Sequence, residues 1–151
     1  MTTPLRWELK SFAALTTLEL YEIMRLRAEV FVVEQNCVYQ DCDGYDQSCR
    51  HLFAREGEEI AAYLRLVPAG VKYPDASIGR VVTSPRARGK GIGRALVKEA
   101  LRLCDEEKIP GLRISAQAYL EKFYRELGFE RVGEAYLEDG IPHVEMLRQP
   151  I

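Results

Sequence analysis

The stretch from Ser77 to Glu107 constrains the fold more than any other. It reads "SIGRVVTSPRARGKGIGRALVKEALRLCDEE": a strand, a basic glycine-rich turn, then a helix. "IGRVV" is rich in β-branched residues, and Pro85 stops it. From Gly91 to Glu107, Ile92, Ala95, Leu96, Ala100 and Leu103 recur at helical spacing. At the junction Gly89, Gly91 and Gly93 alternate with Arg88, Lys90 and Arg94 around Ile92. Glycine in a helix destabilises by roughly 0.5–1 kcal/mol relative to alanine, so another requirement must compensate. The first N–H groups of a helix lack partners, and the helix dipole adds positive potential there. Glycines let an anion approach that backbone closely, so the junction is a phosphate-binding arrangement.

Two familiar phosphate motifs do not fit. No G-x-x-x-x-G-K-[ST] is present. Gly89 and Gly91 could start a dinucleotide fingerprint, but Arg94 stands where its third glycine belongs.

The rest of the chain supplies a sheet and two further helices. "LRWEL" alternates apolar and polar residues and predicts a first strand over Leu5–Lys10. Thr16 followed by Glu19 is a capping box, opening a helix to about Val33 with Leu20, Ile23, Met24 and Phe31 on its buried side. The polar run "VVEQNCVYQDCDGYDQSC" reads as a long loop. "RHLFARE" and "EIAAYLRLV" are strands around a tight turn at Glu56–Glu58. After the glycine turn and its helix come a strand "GLRISAQA", a short helix "YLEKFYREL" closed by Gly128, and a hairpin of "ERVGEAYLE" and "HVEMLRQ" across "DGIP". This order predicts an α/β (α+β mixed) fold: a central, mostly antiparallel sheet of about seven strands with helices on both faces.

With 151 residues, no repeat and no linker, the chain reads as a single domain over 1–151. At 47% hydrophobic and 29% charged it has the balance of a soluble globular protein, and its net charge of −2 argues against bulk nucleic-acid binding. No apolar run approaches the ~18 residues of a membrane span, and "MTTPLRWELK" has no signal-peptide core. A cytoplasmic protein without a membrane partner is expected. Cys37, Cys42, Cys49 and Cys104 form no paired C-x-x-C, so reduced thiols and no metal are expected.

The glycine turn resembles the acetyl-CoA loop of the GNAT family of N-acetyltransferases. Their Arg/Gln-x-x-Gly-x-Gly/Ala motif is matched by Arg88, Gly91 and Gly93, after a strand and a short "TSP" exit. "FYRELGF", Phe123–Phe129, resembles their Tyr-x-x-x-Gly-Phe segment. "VFVVEQNCVYQDCDGYD" and "EDGIPHVEM" look like the ElaA-like branch of small single-domain members. Where many members carry Asn seven residues before the tyrosine, this chain has Gln117.

The resemblance implies the GNAT fold and acetyl-CoA as acyl donor. It places the pantetheine arm along Val82 and Thr83, and the pyrophosphate on the backbone of Arg88, Gly89, Lys90, Gly91, Ile92, Gly93 and Arg94, with Gln117 nearby. It implies direct acetyl transfer to a primary amine, with Tyr124 donating to the departing thiolate. The base stays open among Glu34, Asp41, Asp43, Asp46, His51, His143, Glu145 and a water relay. The three aspartates of "DCDGYD" suit a cationic acceptor, with Glu34, Asp41, Asp43 and His143 on the acceptor side; a solvated acidic loop is the equal alternative. A CoA-binding or partner-binding module without catalysis is the rival reading. The intact Arg88, Gly91, Gly93 and Tyr124 set speaks against it.

Overall fold

The computed structural model describes residues 4–149; the first three and last two residues of the expected 1–151 domain lie outside the described residues. Strands β1 (Leu5–Ser11), β2 (Arg50–Glu56), β3 (Glu59–Val67) and β4 (Ser77–Thr83) form one antiparallel sheet in sequence order. Strands β5 (Leu112–Gln117), β6 (Glu130–Glu138) and β7 (Ile141–Arg148) form a second, ordered β5-β7-β6. Local chemistry sets the two tight hairpins. Gly57 takes positive φ between β2 and β3, and Asp139 and Gly140 both do so between β6 and β7, the backbone a two-residue turn requires.

The expected seven strands are present, but the sheet is split. β4 and β5 run parallel and meet at one bridge, Ala76 to Leu112, where Arg113 N–H donates to the Ala76 carbonyl at 2.9 Å. Beyond that point they part, and a cleft opens between them.

Helices cover both faces. Helix α1 (Thr17–Arg27) starts on the capping box: Thr16 Oγ1 accepts from Glu19 N–H at 3.0 Å, and Thr16 N–H donates back to Glu19 at 2.8 Å. Its Ile23 and Leu26 pack with Val30 on Phe53, Tyr63 and Val82. Leu20, Met24 and Phe31 are only half-buried. Helix α2 (Ile92–Glu106) lays Ile92, Leu96, Val97 and Ala100 on the opposite face, against Leu52, Leu64 and Ile78. The short helix α3 (Glu121–Glu126) carries Tyr124 into the same core.

Helix α1 does not simply run on to Val33. After Arg27 the coil widens to a π-helical segment, Ala28–Glu34, closed by Gln35 N–H to the Val30 carbonyl and followed by Cys37 N–H to that of Val32. Such wide turns are rare and concentrate at functional sites. Here the segment brings Phe31 and Glu34, with Gln35 after it, to the cleft.

Candidate active site

The cleft has a volume of about 500 Å³. One wall is β4, whose far edge pairs with β3 while its near edge faces the gap. That edge is interrupted. Tyr63 opposes Val82 and Arg65 opposes Gly79, so β4 carries one extra residue between them, a β-bulge. Arg80, within the bulge, takes φ +51°, a left-handed conformation unusual for arginine. Its guanidinium holds the strained backbone in place: Nε lies 2.9 Å from Asp41 Oδ1, and Nη2 donates to the Asp41 carbonyl at 3.0 Å and to Asp43 at 3.2 Å.

At the outer end of β4 the chain enters the glycine turn. Gly89 and Gly91 have φ of +82° and +75°, and a Cβ at either would meet nothing within 4 Å. Gly91 is the N-cap of α2, and no side chain caps it. The first amides of α2 therefore remain free for an anion. Gly93 serves packing instead: a Cβ there would sit 3.0 Å from Thr83 Oγ1, so a side chain would crowd the contact between α2 and β4. The cations of the turn reach outward to carboxylates. Arg88 grips Glu34, Lys90 meets Glu56 at 3.0 Å, and Arg94 meets Glu126 at 2.6 Å while lying over the Phe123 ring.

Tyr124 lines the cleft from the β5 side. Its ring is clamped edge-on between Phe123 and Phe129, with centroids at 5.1 and 5.7 Å. Burial pushes its phenol well above the usual tyrosine range. Gln117, at the end of β5, donates across the cleft to Gln35 at 3.3 Å. Further along lies His143 of β7. Its Nδ1 is 2.7 Å from the Ile141 carbonyl, to which a ring N–H donates, and its Nε2 is 3.3 Å from Glu138. Tyr136 stacks on the His143 ring.

The acidic loop is not where the sequence suggests. Asp41 and Asp43 do not line the cleft. Arg27 Nε donates to Asp41 at 2.8 Å and its Nη1 to Asp46 at 2.7 Å; Arg65 grips Asp43 and also reaches Asp46 at 3.0 Å. Arg27 is 0% exposed and Arg65 1%. Three aspartates thus answer three arginines, and their charge is spent inside the protein. Neither free attraction of an acceptor nor a solvated loop describes them. His51 is likewise occupied. It is fully buried, Nδ1 lies 2.7 Å from the Tyr63 hydroxyl, and Nε2 lies 3.0 Å from the Asp46 carbonyl. A carbonyl only accepts, so Nε2 carries the proton and Nδ1 accepts from Tyr63. Glu145 sits against Arg113 at 3.3 Å.

The family model for the acetyltransferase (GNAT) domain matches residues 19–149. The chain belongs to the GNAT acetyltransferase family. A crystal structure of an acyl-CoA N-acyltransferase from Pseudomonas aeruginosa superposes with a TM-score of 0.91 at 44% identity, over 96% of this chain and 99% of that one. The structure of Escherichia coli ElaA gives 0.90 at 37% identity, over 97% and 100%. A UPF0039 protein of Synechocystis is 42% identical over 146 residues, covering 95% of this chain and 94% of its own. The chain is thus an ElaA-like GNAT acetyltransferase by sequence and fold.

Within this GNAT scaffold, Val82, Thr83, Arg88, Gly93, Gln117 and Tyr124 come together along the cleft and its mouth, where the turn Gly89–Ile92 begins α2. Glu34 and His143 also line it, with Glu34 held by Arg88 at the rim. Sequence reasoning missed Arg80, Tyr136 and Glu138. For Arg80 the signal was Gly79, since an isolated glycine inside a strand such as "SIGRVVT" often marks a bulge. The last two had a signal: in the hairpin around Asp139-Gly140, Tyr136 falls opposite His143 and Glu138 opposite Ile141.

Proposed function

We propose that the protein is an acetyl-CoA-dependent N-acetyltransferase that moves the acetyl group directly to a primary amine presented as its ammonium. The single observation that carries this reading is the continuity of the cleft. Uncapped amides at the start of α2, an unpaired strand edge along β4, and Tyr124 all border one cleft. A pyrophosphate, an amide-bearing arm and a thioester are the three parts of acetyl-CoA that such features would meet. Arg88 and Arg94 would exchange their exposed glutamates for phosphate oxygens, which costs little because such pairs are weak.

In the reaction the amine nitrogen forms a bond to the thioester carbon, the C–S bond breaks, and the electron pair leaves on sulfur. Two protons must be managed. A lysine-like amine of pKa ~10.4 lacks about 4.6 kcal/mol of free base at pH 7. His143 Nε2, with Glu138 beside it, is the acceptor for that proton. On the donor side, an ordinary phenol is already a weaker acid than a thiol by roughly 2 kcal/mol. Burial weakens Tyr124 further. Its role is therefore a hydrogen bond to the developing thiolate rather than complete proton transfer.

The test uses calorimetry with acetyl-CoA and thiol release with a panel of amines. Tyr124→Phe keeps the ring and should bind acetyl-CoA as wild type does while kcat falls by up to ~10²-fold. A protein that does not bind acetyl-CoA overturns the reading outright. Binding without turnover of any amine favours the non-catalytic module, and a Tyr124→Phe kcat equal to wild type removes Tyr124 from the chemistry.

A further inference from the structure

Strand alternation gathers four side chains on one face of the second sheet. Ile114, Ala116, Val144 and Met146 turn into the core, so their neighbours on β5 and β7 face the other way. Ser115 and His143 are among those neighbours, and on β6 Tyr136 falls opposite His143 and Glu138 opposite Ile141. Glu138 Oε2 lies 3.3 Å from His143 Nε2, and its Oε1 accepts from Ser115 Oγ at 3.4 Å. Ser115 is hydrogen-bonded in turn to the Tyr136 hydroxyl, and the Tyr136 ring stacks on His143.

The contact between His143 and Glu138 is one proton short. Nδ1 lies 2.7 Å from the Ile141 carbonyl, which only accepts, so Nδ1 carries the proton of the neutral ring. Nε2 then presents a lone pair to Glu138, itself an acceptor. Two acceptors form a hydrogen bond only with a proton between them. While the ring is neutral, Lys72 is the cation near enough to answer the charge of Glu138. The phenols of Tyr73 and Tyr136 are the other titratable groups that feel this carboxylate.

Exposure differs across the same contact. The His143 side chain is 9% exposed and that of Glu138 is 45% exposed. In each turnover an ammonium acceptor gives up two protons; one ends on the CoA thiol and the other must reach water. With donor and acceptor in the cleft, a ring as buried as His143 has little water of its own. Glu138 has more. It also borders a hollow of about 50 Å³ that His143 does not line, with room for water.

Building on the acetyltransferase reading, we propose that Glu138 is the outlet through which the acceptor's proton leaves the site, held in place by Ser115 and Tyr136. His143 Nε2 takes the proton from the acceptor nitrogen and the ring becomes an imidazolium. The nitrogen lone pair so freed forms the C–N bond, and the C–S pair leaves on sulfur. The imidazolium passes its Nε2 proton to Glu138 Oε2. The carboxylic acid then gives it to water, which restores the neutral ring and the carboxylate. Glu138 acts through His143 and not on the substrate; Ser115 and Tyr136 are positioning residues.

The experiment compares wild type with Glu138→Gln, which keeps the size of the side chain and cannot carry a proton. At constant pH and ionic strength its kcat should fall by up to ~10²-fold. Acetyl-CoA affinity, measured by calorimetry, should not change. Added imidazole or formate should restore kcat several-fold in the variant and leave wild type unmoved. A small base replaces a missing proton carrier, but it does not replace a missing packing contact. Ser115→Ala, which leaves the carboxylate but loosens it, should lower kcat a few-fold. A Glu138→Gln kcat equal to wild type, or a lowered kcat indifferent to the added base, overturns the inference. A second arm needs no turnover. The chain has two histidines, and His143→Gln assigns the ring signals of His143 in nitrogen-15 spectra. Near about pH 9, where a histidine ring is neutral, His143 should carry its proton on Nδ1. A proton on Nε2 would leave no lone pair for the acceptor and also overturns the inference. Wild type that binds no acetyl-CoA or acetylates no amine is a different failure: it strikes the reading beneath, and this inference with it, before any variant is made.

Discussion

Two groups of arginine–carboxylate pairs flank the cleft. At the glycine turn Arg88 meets Glu34 with side chains 45% and 43% exposed, and Lys90 and Arg94 meet Glu56 and Glu126 in the same open manner. Under β4, Arg27 and Arg65 meet Asp41, Asp43 and Asp46 with almost no exposure of either guanidinium. The chemistry is the same and the consequence is opposite. Exposed pairs cost little to separate, so on the proposed reading this end could trade its partners for the donor's phosphates. A buried charge deprived of its partner stays buried and uncompensated, so the inner pairs cannot be traded. They tie the loop after α1 to β3 and to the bulge of β4, and so fix the shape of the cleft wall.

The largest expected effect breaks the inner group. Asp46 serves both Arg27 and Arg65, so Asp46→Asn leaves two buried guanidiniums short of charge. Unfolding in urea should show a loss of about 3–5 kcal/mol, a large share of the ~5–15 kcal/mol that a domain possesses. A loss below about 1 kcal/mol would place the inner pairs in the same class as the outer ones and dissolve the contrast.

A smaller effect sharpens the contrast through pH. Burial alone would raise the Asp43 carboxyl, but Arg65 and the Tyr45 N–H outweigh it and hold it well below the usual range; Asp46 is lowered in the same way by Arg27 and Arg65. A depressed carboxylate contributes fully above its unfolded pKa, near 4, and is lost only as pH falls toward its folded value. The inner group should thus be indifferent to pH between 7 and 5. His51, hydrogen-bonded to the Asp46 carbonyl, should not. Desolvation lowers its folded pKa, so the unfolded chain takes up a proton near pH 6.5 that the buried ring refuses. Stability should fall from pH 7 to 5 with a His51 contribution of at most about 1.4 kcal/mol per pH unit. Urea melts of wild type and His51→Gln across that range check it. An equal slope in both would show that His51 does not carry it.

The same contrast explains what could be read from the sequence. The glycine turn, the capping box at Thr16 and the Asp139-Gly140 hairpin are legible because each is a local pattern whose partner lies within a few residues. The buried charge network under β4 is not. Arg27 looks like one more polar position of α1, and Arg65 like one more of β3, yet both are buried by partners 14 to 22 residues away. Without those arginines in view, "DCDGYD" reads as three unmatched charges seeking a cation. The widened turn after Arg27 and the bulge at Arg80 escape for a related reason. The widened turn is imposed on a segment with ordinary helical preferences, and Gly79 permits a bulge beside it without specifying one.

The smallest expected effect concerns the outer group. Hydrogen bonds from Arg88 hold the Glu34 carboxyl below its usual pKa, so the pair is intact at neutral pH. If Arg88 must release Glu34 to meet a pyrophosphate, Glu34 is a competitor and not a ligand-holder. Glu34→Gln removes the competing charge while keeping the size. Acetyl-CoA should then bind a few-fold tighter, roughly 2–5-fold, with the melting temperature unchanged and a steeper dependence on salt. Calorimetry at two ionic strengths measures it. Weaker binding would mean that Glu34 aims Arg88 at the donor, and the outer pairs would then be positioning devices like the inner ones.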